Sequence, residues 1–206
     1  MKLFYFPGAC SIGIHVLLEE IGAPYEKHML HLREGAQHKP DYIALNPKAK
    51  VPALVRDDGH VITEFPAIAY YLGNAFPAAK LFPADLDGQV RILETMEYIA
   101  ATVHMQGFTR VFRASNFTDD PAKEDAVKAQ GLAIAEKGLE VLDMKLGENT
   151  YVNGAFSIAD AALFFVEFWY TARMGKTLPK GLARHWHAMN ARASVQAVLK
   201  DEGFAG

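Results

Sequence analysis

The feature that most constrains this chain is a change in hydrophobic period near residue 75. Before it, short apolar runs alternate with helical repeats and turn residues; after it, apolar positions recur only at three and four. Leu3 to Phe6 reads as a buried strand ending at Pro7-Gly8, and Ile14, Leu17, Leu18 and Ile21 mark a helix from Ser11 that Gly22 and Pro24 stop. Tyr25 to Leu32 reads as a second strand and Asp41 to Leu45 as a short helix. Ala53 to Arg56 and His60 to Thr63 form a hairpin around Asp57-Asp58-Gly59, and a helix follows from Glu64 to Gly73. The order βαβαββα predicts a mixed sheet with helices packed on its faces.

Residues 76–86 hold Phe76-Pro77 and Phe82-Pro83 without a sustained period, as a linker would. Residues 87–206 read as all-helical. Gly88 to Arg113 and Pro121 to Leu146 are long amphipathic helices, and Arg184 to Leu199 is a last one. Ser157-Ile158-Ala159-Asp160 has the form of a capping box. The run that follows, Ala161 to Val166, is apolar on all sides, so it predicts a central helix buried all round.

Among 206 residues, 50% hydrophobic and 22% charged, there is material for a core. The net charge of -3 and the lack of a basic stripe argue against nucleic acid as a partner. The longest apolar stretch, Ile158 to Tyr170, is interrupted by Asp160 and Glu167 and falls short of the ~20 residues of a membrane helix. With Pro7-Gly8 so close to the start and no long apolar segment before it, a cytoplasmic address is expected. The single cysteine, Cys10, excludes an internal disulfide framework and a CxxC pair.

Cys10 carries the chemical interest. At the start of a helix a thiol meets unpaired amides and the positive end of the helix dipole, which predicts titration below the ordinary value of about 8.5. The alternative is a small buried hydrophobe. Val51-Pro52, just before the third strand, admits a cis bond and backbone groups free to pair with an extended peptide, or is an ordinary proline at the start of a strand. Glu64 serves either as the first acid of its own helix or as a carboxylate aimed at a ligand's ammonium.

Met1 to Ser11 with His15, then Asn46-Pro47, Lys50-Val51-Pro52-Ala53-Leu54, Asp58-Gly59, Ile62-Thr63-Glu64 and Pro66-Ala67-Ile68, fall in an order and spacing that resemble bacterial beta-class glutathione transferases. Tyr151-Val152-Asn153-Gly154 and Ser157 to Asp160 are similar to the capping segment of that family's helical domain. The resemblance implies a thioredoxin-like N-terminal domain, an all-helical C-terminal domain, glutathione as co-substrate, no metal, and a homodimer. It makes Cys10 the thiol facing the glutathione sulfur, Val51 the backbone clamp on the cysteinyl part, Pro52 the cis proline and Glu64 a partner of the γ-glutamyl end. His104 becomes the second active-site residue, reaching over from the helical domain, with Ser11 and Tyr5 as alternative thiol partners.

Three positions depart from the family pattern. Phe65 stands where a serine or glycine is usual, so only its backbone N–H can serve the γ-glutamyl carboxylate. The stretch from His104 to Phe108 is one residue longer than the family's. Arg33, rather than a lysine near position 35, is offered for the glycine end. The implied activity is conjugation of glutathione to an electrophile, or thiol exchange or peroxide reduction through Cys10. The alternatives are a binding or regulatory protein without turnover, for which Phe65 speaks, and a glutathione-dependent isomerase or dehalogenase. Phe108, Phe112 and Phe117 suggest an apolar co-substrate. Phe76, Ile92 and Met96 are the side chains expected at the subunit contact.

Overall fold

The computed structural model describes residues 1–204. Strand β1 (Lys2–Tyr5) runs parallel to β2 (Glu26–Met29) and antiparallel to β3 (Ala53–Val55), which turns back into β4 (Val61–Thr63), giving the order β2-β1-β3-β4. Helix α1 (Ser11–Ile21) crosses from β1 to β2, α2 (Pro40–Leu45) precedes β3, and α3 (Phe65–Ala75) follows β4. This is the thioredoxin-like order read from the sequence. Strand β2 is shorter than expected: it is exposed along its length at the sheet edge, with no outer neighbour to prolong the pairing, and the chain leaves it for tight turns at Leu32–Glu34 and Ala36–His38. Successive side chains of β1 serve opposite faces. Leu3 and Tyr5 join the main core with α1, while Phe4 joins Leu30, Tyr42 and Ala53 in a small cluster.

The helical C-terminal domain opens with α4 (Leu86–Glu97), capped by Asp85, whose carboxylate accepts from the Gly88 N–H at 2.7 Å. Its path continues through wide π turns over Tyr98–Phe108 into a short α5 (Thr109–Phe112). Helix α6 (Glu124–Leu146) ends at Gly147, where φ is 55°. Helix α7 (Ile158–Phe168) is buried at every position, which is what its apolar circumference demands, and passes into a second set of π turns over Trp169–Arg173. The capping box is formed: the Asp160 carboxylate accepts from the Ser157 N–H at 2.7 Å and the Ser157 hydroxyl at 2.8 Å, and from the Val152 N–H at 2.7 Å. Buried His185 lies between Asp160, at 3.2 Å, and Glu167, at 2.8 Å.

Two expectations need correction. The last helix is two, α8 (Lys180–Asn190) and α9 (Ala193–Asp201). The chain becomes extended at Arg192, and that break turns its guanidinium onto Glu20 of α1 in two 2.7 Å bonds, an attraction between distant segments invisible to periodicity. Ile92 and Met96 lie in the chain's own core, 0% and 1% exposed, and so are withdrawn from any subunit contact. The large apolar side chains exposed along α3 and α4 are Tyr70, Leu86 and Val90. No helix among the described residues is long and apolar enough to cross a membrane.

Candidate active site

The loop between β1 and α1 is held from both halves of the molecule. Within it, the Ser11 hydroxyl donates to the Phe6 carbonyl at 3.3 Å and accepts from the Phe6 N–H at 3.2 Å, so this buried group closes the turn and only its backbone N–H faces a sulfur at position 10. Gly8 takes φ 68°, a left-handed conformation that suits glycine, and a Cβ there would meet the Phe204 ring at 2.9 Å. Its N–H donates to Glu202 at 2.8 Å, and its carbonyl accepts from Trp169 Nε1 at 2.8 Å and Arg173 at 3.2 Å. Glu202 in turn meets His15 at 2.9 Å, which places that buried histidine in support of the loop.

A second loop faces the first. Asn46 Nδ2 and the Tyr42 hydroxyl both donate to the Lys50 carbonyl, at 2.8 and 2.6 Å, and the Lys48 N–H donates to Asn46 Oδ1. They deliver the chain to the Val51-Pro52 peptide bond, which is cis. Among the described residues the Val51 N–H has no backbone acceptor, and its carbonyl faces Cys10, whose thiol donates toward it at 3.5 Å.

The expected thiolate at Cys10 is overturned. The side chain is 9% exposed, and burial pushes its pKa up to about 12 against the opposing effect of the Cys10 and Ser11 N–H groups. Desolvation by the surrounding core outweighs the helix terminus, which is a fraction of one charge. The thiol is therefore a proton donor. Tyr5 is buried beside His15, their rings 5.4 Å apart, and its phenol is held above the usual range by burial and by Asp201 and Glu202.

Glu64 sits at the start of α3 with φ 69°, a backbone strain of about 1–3 kcal/mol for a non-glycine residue and one that turns its carboxylate outward onto Lys48 at 2.7 Å. Phe65 follows it with the ring buried, packed against Phe165 at 5.1 Å and over Gly13, where a Cβ would meet the ring at 2.8 Å. The missing side chain at Gly13 makes the room that Phe65 fills, so the bulk goes into the core and the backbone N–H stays at the helix start.

His104 lies in the π turns of 98–108. Its imidazole packs edge-on against Trp169 at 4.8 Å and Phe165 at 5.5 Å. Burial, Lys50 and Arg113 push its pKa down to about 4, with Glu64 opposing, so the ring is neutral near pH 7 and shares its electrostatic surroundings with Cys10, on which Glu64 and Arg113 also act. Phe108 stacks on Phe112 at 5.8 Å and both meet the Trp169 ring. Arg33 stands exposed beyond β2. Trp169, Arg173 and Glu202 were not foreseen. Their sole signal is a tryptophan and an arginine closing the long apolar run, which does not point to a loop more than a hundred residues earlier. Among the described residues no three metal-ligating side chains come together.

The family model described as the N-terminal domain of glutathione S-transferase matches residues 8–75, from the β1–α1 loop to the end of α3. The chain is 36% identical over 209 residues to glutathione S-transferase GstA of Escherichia coli O157:H7, covering 99% of this chain and 100% of that one. A glutathione transferase homologue from Sulfitobacter, solved with bound glutathione, superposes with a TM-score of 0.89 at 30% identity over 98% of both chains. A beta-class glutathione S-transferase of Sphingomonas chungbukensis superposes with a TM-score of 0.84 at 32% identity, over 99% of this chain and 100% of that one. On full-length identity to a named relative, with the thioredoxin-like sheet and helical half in the same order, this chain belongs to the glutathione S-transferase family.

Proposed function

We propose that this protein is a beta-class-like glutathione transferase that conjugates glutathione to a small apolar electrophile, with Cys10 acting as a hydrogen-bond donor. The observation that carries the reading is the unpartnered Val51 N–H before the cis Pro52, on a residue whose carbonyl accepts from the Cys10 thiol. An extended peptide laid along residues 51–53 would pair with Val51 through backbone bonds. Glu64 and the Phe65 N–H would take the γ-glutamyl end, and Arg33 the glycine end. The glutathione thiol releases its proton to solvent water on binding. Its thiolate then lies among the Cys10 S–H, the Ser11 N–H and neutral His104, with Arg113 supplying positive charge. Sulfur attacks the electrophilic carbon, the C–S bond forms, and the leaving group departs with its electron pair.

A thiol held protonated favours hydrogen bonding over mixed-disulfide chemistry, since the thiolate is the reactive form. The buried ring of Phe65 removes the argument for a binding protein without turnover. A boundary within 76–86 separates the halves, and a free cysteine and glutathione both suit the reducing cytoplasm. A homodimer would form through Tyr70, Leu86 and Val90 in a two-fold contact. Sedimentation at low micromolar concentration tests it, and a mass near 22.7 kDa at every dilution sinks it.

Retention on immobilised glutathione, release by the free peptide, and conjugation of 1-chloro-2,4-dinitrobenzene above the uncatalysed rate are the expected results. Failure to be retained removes the function; retention without turnover leaves a binding protein.

A further inference from the structure

Among the described residues the cations that meet the cleft lack a carboxylate partner. Two arginines elsewhere find a carboxylate, Arg56 on Asp58 and Arg192 on Glu20, while Arg91, Arg110 and Arg184 turn to an amide oxygen or to backbone carbonyls. Arg33, Lys50, Arg113 and Arg173 find none among the described residues, although acidic side chains outnumber Lys and Arg by 24 to 21 in the chain. Arg173 is the most constrained of the four. It ends the second π segment, donates to the Gly8 carbonyl at 3.2 Å and lies 5.0 Å over the Phe112 ring. Phe112 meets Trp169 at 5.7 Å, and Trp169 packs on His104. The guanidinium of Arg173, an exposed residue, thus sits where the aromatic wall of the helical half meets the loop bearing Cys10. Desolvation lowers the Arg173 pKa and the neighbouring Arg33 lowers it further, so two like charges approach each other.

On the reading above, glutathione brings one carboxylate to Arg33 and another to the start of α3, and neither serves Arg173. We propose that Arg173 binds a carboxylate on the co-substrate, making the preferred electrophile a planar apolar molecule that bears a carboxylate, seated on Phe112 and Trp169. This rests on the glutathione-transferase reading. A guanidinium that already donates once to Gly8 keeps further N–H donors in the same plane for a carboxylate oxygen. The adjoining rings supply the apolar surface.

The test uses a matched pair, 4-chloro-3,5-dinitrobenzoate and 4-chloro-3,5-dinitrobenzamide. In both, glutathione sulfur displaces chloride, and each rate is divided by its uncatalysed rate. The wild-type kcat/KM should favour the acid by about tenfold or more, the equivalent of one charge-assisted contact. Arg173→Met, which keeps the stem over Phe112, should abolish the preference, and Arg173→Lys should keep part of it. A wild-type ratio near one overturns the proposal, as does a preference that survives in Arg173→Met. A loss of glutathione affinity in Arg173→Met with the ratio intact assigns the arginine to the glycine carboxylate and also overturns it.

Calorimetric binding of the two S-aryl glutathione conjugates to the wild-type chain needs neither turnover nor a variant. Tighter binding of the acid conjugate, weakened by salt, is expected. Equal binding overturns this proposal alone, whereas no binding of either conjugate removes the glutathione site and this inference with it.

Discussion

The Cys10 thiol donates toward the Val51 carbonyl at 3.5 Å, joining the β1–α1 loop to the backbone that precedes the cis proline. Because burial pushes the thiol up to about 12, it stays protonated across the physiological range. Alkylation by iodoacetamide at pH 7.5 should therefore run well below the rate of a free thiol, whose pKa is about 8.5. Mass spectrometry over time gives the rate, and reaction as fast as that of glutathione itself contradicts the assignment. Cys10→Ala should hold glutathione affinity within about tenfold, roughly 1.4 kcal/mol, because one S–H contact is lost from a largely backbone-bound peptide.

His104, with its pKa pushed down to about 4, is neutral throughout the working range. The pH profile of kcat/KM for a neutral electrophile should contain no step from this residue between pH 8 and 5, its own protonation falling at about 4. A step near the ordinary imidazole value of about 6.5 that disappears in His104→Ala contradicts this. The variant should lose roughly 10²-fold in rate, the range for one positioned hydrogen-bonding group.

The buried His185 faces Asp160 and Glu167. Burial opposes its charge, but the two carboxylates prevail and raise it to about 10. The folded value exceeds the unfolded one of about 6.5, so its contribution to stability is complete below about 6.5 and is lost as pH rises toward about 10. Urea unfolding across that range should show an alkaline loss that is smaller in His185→Ala. At pH 6 the variant should be weaker by about 3–5 kcal/mol, because it leaves carboxylates buried without their cation. Parallel stability curves for the two proteins count against the charged histidine.

Gly13 separates two opposed effects. Alanine is the better helix former by about 1 kcal/mol, yet a Cβ at this site would lie 2.4 Å from the Ala161 carbonyl oxygen and 2.8 Å from the Phe65 ring. The carbonyl belongs to α7, which is packed on every side and has no room to withdraw. Gly13→Ala should therefore lower the thermal midpoint, with a net cost of about 1–3 kcal/mol. An unchanged or raised midpoint would show that α1 and α7 can part.

Order of elements, the fully buried α7 and its capping box were legible because each is set by local period and by side chains a few residues apart. So was the Glu64–Phe65 start of α3. The break between α8 and α9 was not, because Arg192 turns out of the helix toward Glu20, some 170 residues away. Phe65 looked like an obstruction in the sequence and became a core residue through the space at Gly13. Trp169, Arg173 and Glu202 converge on the backbone N–H and carbonyl of Gly8 only after both halves have folded. The sequence by itself determined that a lone thiol would stand at a helix N-terminus, which favours its ionised form. Whether that thiol would ionise was decided by tertiary structure, because stripping water from a sulfur costs more than a helix terminus returns.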